Sequence, residues 1–145
     1  MILFLSSNAG YSLDIFSLEE YIESSNLDKI RDVIKGLFAD ITYTSNDVVF
    51  EHYFQTVIYL VFTLLGKFVE CERHTSNGRI DCLVKTNDYI YLFEFKRDDT
   101  ADAALKQIEE QGYANPFVAD LRKLYKIGAS FSSDSRRLEG WKVVE

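Results

Sequence analysis

Two charged residues, Glu94 and Lys96, interrupt the apolar segment Tyr89-Ile90-Tyr91-Leu92-Phe93-Glu94-Phe95-Lys96. Its β-branched and aromatic residues, with Gly and Pro absent, predict a strand covered on both faces. Strand side chains alternate with period two, which puts Glu94 and Lys96 on one face with Ile90 and Leu92. Taking a carboxylate and an ammonium out of water costs roughly several kcal/mol per ion unless a partner compensates. A strand serving only a core would carry Val or Ile at both places. Asp81, in the preceding strand-like stretch, supplies the partner. If these strands pair through the short turn at 86–88, Asp81 approaches Glu94 across the ladder, while Ile80, Cys82 and Val84 form the other face. Two facing carboxylates repel unless a cation lies between them. Hard oxygen donors without a supporting His suit Mg2+ or Mn2+ rather than zinc. Lys96, about 6.5–7 Å further along the same face by strand rise, reaches a scissile phosphate or a metal-bound water. A metal polarises the phosphate and supplies hydroxide near neutral pH, and Lys96 adds charge stabilisation, which together suit phosphodiester hydrolysis.

The surrounding elements must hold these groups together. Residues 1–16 carry little periodic signal and read as a linker or the end of something larger. Ser17 and Glu20 have capping-box spacing, and Ile30, Val33, Ile34, Leu37 and Phe38 recur at helical spacing over Leu27 to Ala39. A longer helix spans Asn46 to Leu65, capped by Asn46 or Asp47 and stopped by Gly66. It is apolar almost all round, which predicts deep packing against a sheet. Strands follow over Lys67–His74, Arg79–Lys85 and Tyr89–Lys96, with turns at Ser76-Asn77-Gly78 and 86–88. A helix from Thr100 to Ala114, a strand from Lys123 to Phe131 and a short one from Gly140 to Val144 complete the order. That order predicts an α/β or mixed α+β domain, with a four- to five-stranded mixed sheet flanked by helices.

At 145 residues the chain makes one domain with a sizeable core. One Pro and no low-complexity run argue against disorder. The net charge of −7 is unhelpful to a nucleic-acid binder, although a local basic groove can coexist with an acidic whole. Cys71 and Cys82 do not make a disulfide framework, so a reducing cytoplasm is expected. The opening apolar run lacks a basic flank and a cleavage pattern, and Glu51, His52 and Gln55 break the stretch from Val48 to Leu65, so no membrane association is expected.

Asp81 after Gly78-Arg79-Ile80, then Glu94-Phe95-Lys96 as an E-x-K element, resembles the PD-(D/E)XK nuclease superfamily. The following Ala103-Ala104-Leu105-Lys106-Gln107-Ile108 and Tyr113-Ala114 narrow the likeness to the nuclease-like domain found C-terminal to AAA-type ATPase-like domains in uncharacterised bacterial proteins. The resemblance covers about residues 45–144. It implies a restriction-endonuclease-like fold over 45–145, with 1–44 as support helices or linker, and an ATPase-like domain upstream in a longer protein. It implies Asp81 and Glu94 as ligands to Mg2+ or Mn2+, the Phe95 carbonyl as a further ligand, and Lys96 as the residue that positions or activates the water. Glu51 matches the acidic residue that such proteins present from the helix before the sheet, as catalytic group or metal ligand. Gln107 matches the Gln on the helix after the E-x-K strand, and Tyr113 would line the same cleft. Ile80 stands where the name of the superfamily has Pro. The implied partner is nucleic acid, DNA first, and dimers are common among such endonucleases.

Plainer readings stand beside these. Glu94 and Lys96 alone would make a structural ion pair or guard a sheet edge. Asp81 would end a hairpin, Glu51 would complement a helix dipole, and Gln107 would be a solvated helix residue. Cys71, His74 and Cys82 lack the fourth ligand that zinc requires. Arg73, Arg79, Arg97 and Lys106 are candidates for phosphate contacts, and Arg136-Arg137 reads as a solvated turn.

Overall fold

The β-rich middle of the chain becomes a three-stranded meander that a crossing helix then extends. The computed structural model describes residues 4–6, 12–39, 48–64, 66–76, 78–135 and 137–145. Strands β3 (Phe68–Thr75), β4 (Gly78–Lys85) and β5 (Tyr89–Arg97) are antiparallel neighbours. Thr75 pairs with Gly78 across the first turn. At the second, Thr86 Oγ1 accepts the amides of Asp88 at 3.3 Å and Tyr89 at 2.9 Å, which closes the loop without a glycine. Helix α4 (Ala101–Glu110) crosses back, and β6 (Lys123–Phe131) runs parallel to β5 from Tyr89↔Lys123 to Arg97↔Phe131. Strand β7 (Leu138–Val144) adds antiparallel at the far edge. Among the described residues the order is β3-β4-β5-β6-β7, so the strand bearing Glu94 and Lys96 is central in a mixed, helix-flanked α/β sheet, as the sequence predicts.

Each face of the sheet has its own core. Cys82, Val84, Tyr91, Phe93, Tyr125, Ile127 and Ala129 pack with Ile22, Ile30, Ile34, Phe38, Ile58 and Phe62. These last come from α1 (Ile15–Glu23), α2 (Leu27–Ala39) and α3 (Val48–Leu64). Tyr91 Oη donates to the Ile22 carbonyl at 2.7 Å, so the buried phenol is satisfied while tying the sheet to α1. On the other face Leu83, Ile90 and Leu92 pack against Ile108 of α4 and against Tyr113 and Phe117 beyond it.

Gly128 lets α4 come close. A Cβ there would lie 2.4 Å from the Ala101 carbonyl and 3.2 Å from Ala104 Cβ, so the helix rests directly on the β6 backbone. Thr100 caps α4, its hydroxyl accepting the Ala103 amide at 3.0 Å. The helix stops at Glu110, short of the Ala114 expected from the sequence. Gly112 takes φ +63 there, with Gly112 N–H on Glu109 O and Tyr113 N–H on Ile108 O, a Schellman ending. Gly66 ends α3 likewise, its N–H on Thr63 O and that of Lys67 on Phe62 O. The caps expected at Asn46 and Asp47 lie outside the described residues.

Three expectations need correction. The stretch expected to be linker contains a two-stranded ribbon, β1 (Phe4–Ser6) with β2 (Ser12–Asp14), whose three-residue strands are too short to show alternation. Helix α1 begins at Ile15, so Ser17 lies within its first turn rather than at its cap. Helix α3 is not covered all round: Ile58 and Phe62 are buried, but Tyr59, Leu60 and Leu64 are 45%, 52% and 63% exposed.

Candidate active site

Strands β4 and β5 part company where the chemistry-bearing residues stand. They pair from Lys85↔Ile90 to Cys82↔Phe93, after which β4 continues with β3 to Gly78 and β5 with β6 to Arg97. A fork therefore opens at Asp81 and Glu94. The Phe95 amide points into it, and Asp81 Oδ2 accepts that amide at 2.9 Å. A strand residue presents its N–H and C=O to the same side, so the Phe95 carbonyl faces the fork too. The expected face pattern slips here. Ile80 joins the α4-side core with Leu83, whereas Cys82 and Val84 join the opposite core. Arg73, paired with Ile80, likewise lies on the α4 side, over the Phe117 ring at 5.4 Å. The strands twist as they diverge, and simple alternation fails at Asp81.

Glu94 is 2% exposed, and its Oε2 has no hydrogen-bond partner among the described residues. Burial, and after it the charge of Asp81, pushes its carboxyl up to about 8, with Lys96 acting in the opposite direction. Burial also raises Asp81, against the Phe95 amide and the charges of Arg79 and Lys96. A proton or a cation between the two carboxylates would relieve both the burial and the repulsion. An orphaned buried carboxylate oxygen beside a second carboxylate fits a hard divalent ion. Asp81, Glu94 and the Phe95 carbonyl would be the protein's share of such a site. No group of three His, Cys, Asp or Glu side chains is assembled among the described residues, and water would supply the remaining oxygens.

Lys96 is held from α4. Its Nζ donates to Gln107 Oε1, and Gln107 Nε2 donates to Tyr113 Oη at 3.4 Å. Tyr113 is buried, and its hydroxyl also accepts the Arg79 amide at 3.2 Å. This chain of bonds runs from the E-x-K strand across the helix and back to β4, one side of the fork to the other. Ala101, Ala104 and Ile108 are the buried positions of α4 and fix which way it faces, leaving Gln107 half-buried at the margin. Gly78 has no side chain because a Cβ would come 2.8 Å from Tyr113 Oη.

Other candidates fall elsewhere. Arg79 is exposed, with its charge felt at Asp81. Alternation puts Arg97 on the face opposite Lys96, with its Nε 3.7 Å from Asp98. Lys106 stands on the exposed side of α4, 3.6 Å from Glu110. These last two stand beside Asp98 and Glu110 rather than Asp81 and Glu94. Glu51 lies on α3, but its side chain is outside the described residues, as is that of His74. Cys71 and Cys82 face each other across β3 and β4, Sγ to Sγ 3.5 Å, inside the opposite core. Arg136 is outside the described residues. Sequence reasoning missed Gly128 and the bridging position of Tyr113. An isolated glycine within a strand pattern is the signal that would have exposed the first.

Residues 49–141 match the family model of the PD-(D/E)XK nuclease superfamily. The chain is also 32% identical over 149 aligned residues to an uncharacterised protein in the vnfD 5′ region of Azotobacter chroococcum mcd 1. That alignment covers 99% of this chain and 29% of the relative, so the chain spans less than a third of the relative's length.

Proposed function

The chain belongs to the PD-(D/E)XK nuclease superfamily, and from that premise we propose that it hydrolyses phosphodiester bonds of nucleic acid, DNA first, with Mg2+ or Mn2+. The observation that carries the reading is the buried, unpartnered Glu94 Oε2 beside Asp81, with Lys96 tethered on the same strand face. A bound divalent ion would polarise the phosphate and acidify a water, giving a nucleophile near neutral pH. Asp81 keeps the Phe95 backbone aligned and shares the ligand role with Glu94. Glu94 would hold the ion through its carboxylate, which the ion's charge would keep ionised. Gln107 takes one of the three Lys96 donors and leaves the others for a phosphate oxygen, where negative charge grows during attack. Glu51 is proposed as a further acidic contributor from α3.

The net charge of −7 favours one alternative, a module that keeps the fold to bind nucleic acid or a protein partner without cutting. The likeness to domains found beside AAA-type ATPase-like regions supports a further proposal, that such a region accompanies this domain in a longer protein. The test is a cleavage panel of single- and double-stranded DNA and RNA with Mg2+ and Mn2+, beside thermal melts with each metal. The nuclease reading expects cleavage that Glu94→Ala and Lys96→Ala abolish or cripple, and metal stabilisation that Glu94→Ala removes. Binding without cleavage or metal response would replace it with the module.

A further inference from the structure

On the α4 side, beyond Tyr113, lies a cleft of about 340 Å³ between the end of β3 and the turn after α4. Arg73, Thr75 and Ser76 line one wall, Gln111 and Asn115 the other. In an acidic chain its described lining includes no carboxylate, and Arg73 is the charged group there. The guanidinium is seated over the Phe117 ring at 5.4 Å. Glu70 is 3.7 Å from it, further than the roughly 2.7–2.9 Å of a charge-assisted hydrogen bond, so the guanidinium fork is oriented rather than consumed. Lys85 shares the same ring at 5.3 Å, and its ammonium is held below its usual range by burial and then by the charges of Arg73 and Arg122. Arg73, Lys85 and Arg122 thus act on one another beside the cleft, with Glu70 and Asp120 as the carboxylates that oppose them.

The far wall is built as closely. Gly112 adopts φ +63, and a Cβ on it would lie 2.6 Å from Asn115 Nδ2, so the glycine makes room for that amide. The cleft also continues the candidate site. Gln111 is one helical turn, about 6 Å, beyond Gln107. Arg73 pairs with Ile80, the residue before Asp81. These offsets are of the order of one or two nucleotide steps, at about 3.4 Å of helix axis per step of one strand.

We infer that this cleft seats a neighbouring backbone phosphate of the nucleic acid whose scissile phosphate lies at Asp81 and Glu94. Arg73 supplies the charge, and Gln111, Asn115 and Ser76 supply neutral donors. The inference rests on the function proposed above. It assigns this subsite a share of affinity that is independent of base sequence, because phosphates carry no sequence information.

The experiment is fluorescence anisotropy of a labelled oligonucleotide with Mg2+, using Lys96→Ala as the slow-cleaving parent and adding Arg73→Gln or Ser76→Glu. Either change should weaken binding about tenfold, and Arg73→Gln should lower the slope of log K against log salt by about 0.7–0.9. Ser76 is an exposed turn residue, so its variant decides the matter if Arg73→Gln melts early. Parental affinity and parental slope in both variants would overturn the cleft while leaving hydrolysis intact. Weakened binding in a protein whose wild type never cuts would overturn hydrolysis and keep the cleft. A parent that binds no nucleic acid would overturn both.

Discussion

The Asp81 carboxylate accepts the Phe95 amide at 2.9 Å, so a side chain of β4 occupies the place of the ladder bond that β5 would otherwise make. The structure gives this residue one duty, closing the backbone at the mouth of the fork, and the proposed function gives it a second, offering its charge to a cation. The duties separate by mutation. Asp81→Asn keeps an acceptor for the amide and loses the charge; Asp81→Ala loses both. We expect Asp81→Ala to destabilise the metal-free protein by about 1–3 kcal/mol, and Asp81→Asn by clearly less. Both should lose the metal-induced rise in melting temperature. Chemical melts with EDTA and with Mg2+ measure this, and equal stability of the two variants in EDTA would deny the structural duty.

Glu94 links stability to pH with a definite sign. Its carboxyl stands at about 8 in the fold against an ordinary 4.5, so the folded chain binds this proton more tightly than the unfolded one. The stabilisation is full below about 4.5 and is lost as pH rises through 8. In EDTA, the stability of wild type relative to Glu94→Gln should therefore fall by a few kcal/mol across that window, at most about 1.4 kcal/mol per pH unit. Saturating Mg2+ should reverse the trend by binding the ionised form. Urea denaturation at several pH values reads it directly. Parallel curves for the two proteins would show that Glu94 is not the buried acid described here.

The bonds from Lys96 through Gln107 to Tyr113 set an order of effects on turnover. If the chain hydrolyses nucleic acid as proposed, Lys96→Ala removes a charge beside the reacting phosphate and should cost on the order of 10²–10³ in kcat. Gln107→Leu leaves the charge but releases its orientation, and should cost about 10–100-fold, as lost supports of active groups do. Neither should abolish metal stabilisation, because the carboxylates are untouched. Steady-state kinetics with thermal melts decide it. A Gln107→Leu enzyme with full kcat would reduce that hydrogen bond to a structural detail.

What the sequence revealed and concealed follows from the range of the forces involved. Strand alternation and the E-x-K element were legible because they depend on neighbours two residues apart, and a charge in an apolar run is conspicuous. The meeting of Asp81 with Glu94 was also legible, since the short turn at 86–88 fixes the register. The slip that sends Ile80 to the α4 side was not, because it arises where two strands follow different partners. The placement of Arg97 beside Asp98 and of Lys106 beside Glu110 follows from strand alternation and helix phase, which their charge alone does not reveal. For α3, hydrophobicity alone could not mark Tyr59, Leu60 and Leu64 as its exposed side.

Gly128 carries the last prediction, because it pairs with Glu94 and also bears the weight of α4. A methyl group there meets the Ala101 carbonyl at 2.4 Å and Leu105 Cγ at 3.1 Å, and the backbone contact cannot be relieved by a side-chain rotation. Gly128→Ala should lift the helix from β6, costing about 1–3 kcal/mol as overpacking does. The same displacement should loosen Gln107 from Lys96, so activity should fall even where the variant is fully folded. A double-mutant cycle isolates that second effect. If α4 acts on turnover through Gln107, then adding Gly128→Ala to Gln107→Leu should reduce kcat much less than it does in wild type. Full additivity in kcat would mean that the glycine serves packing alone. An unchanged melting temperature would mean that the helix does not rest on β6 as closely as 2.4 Å requires.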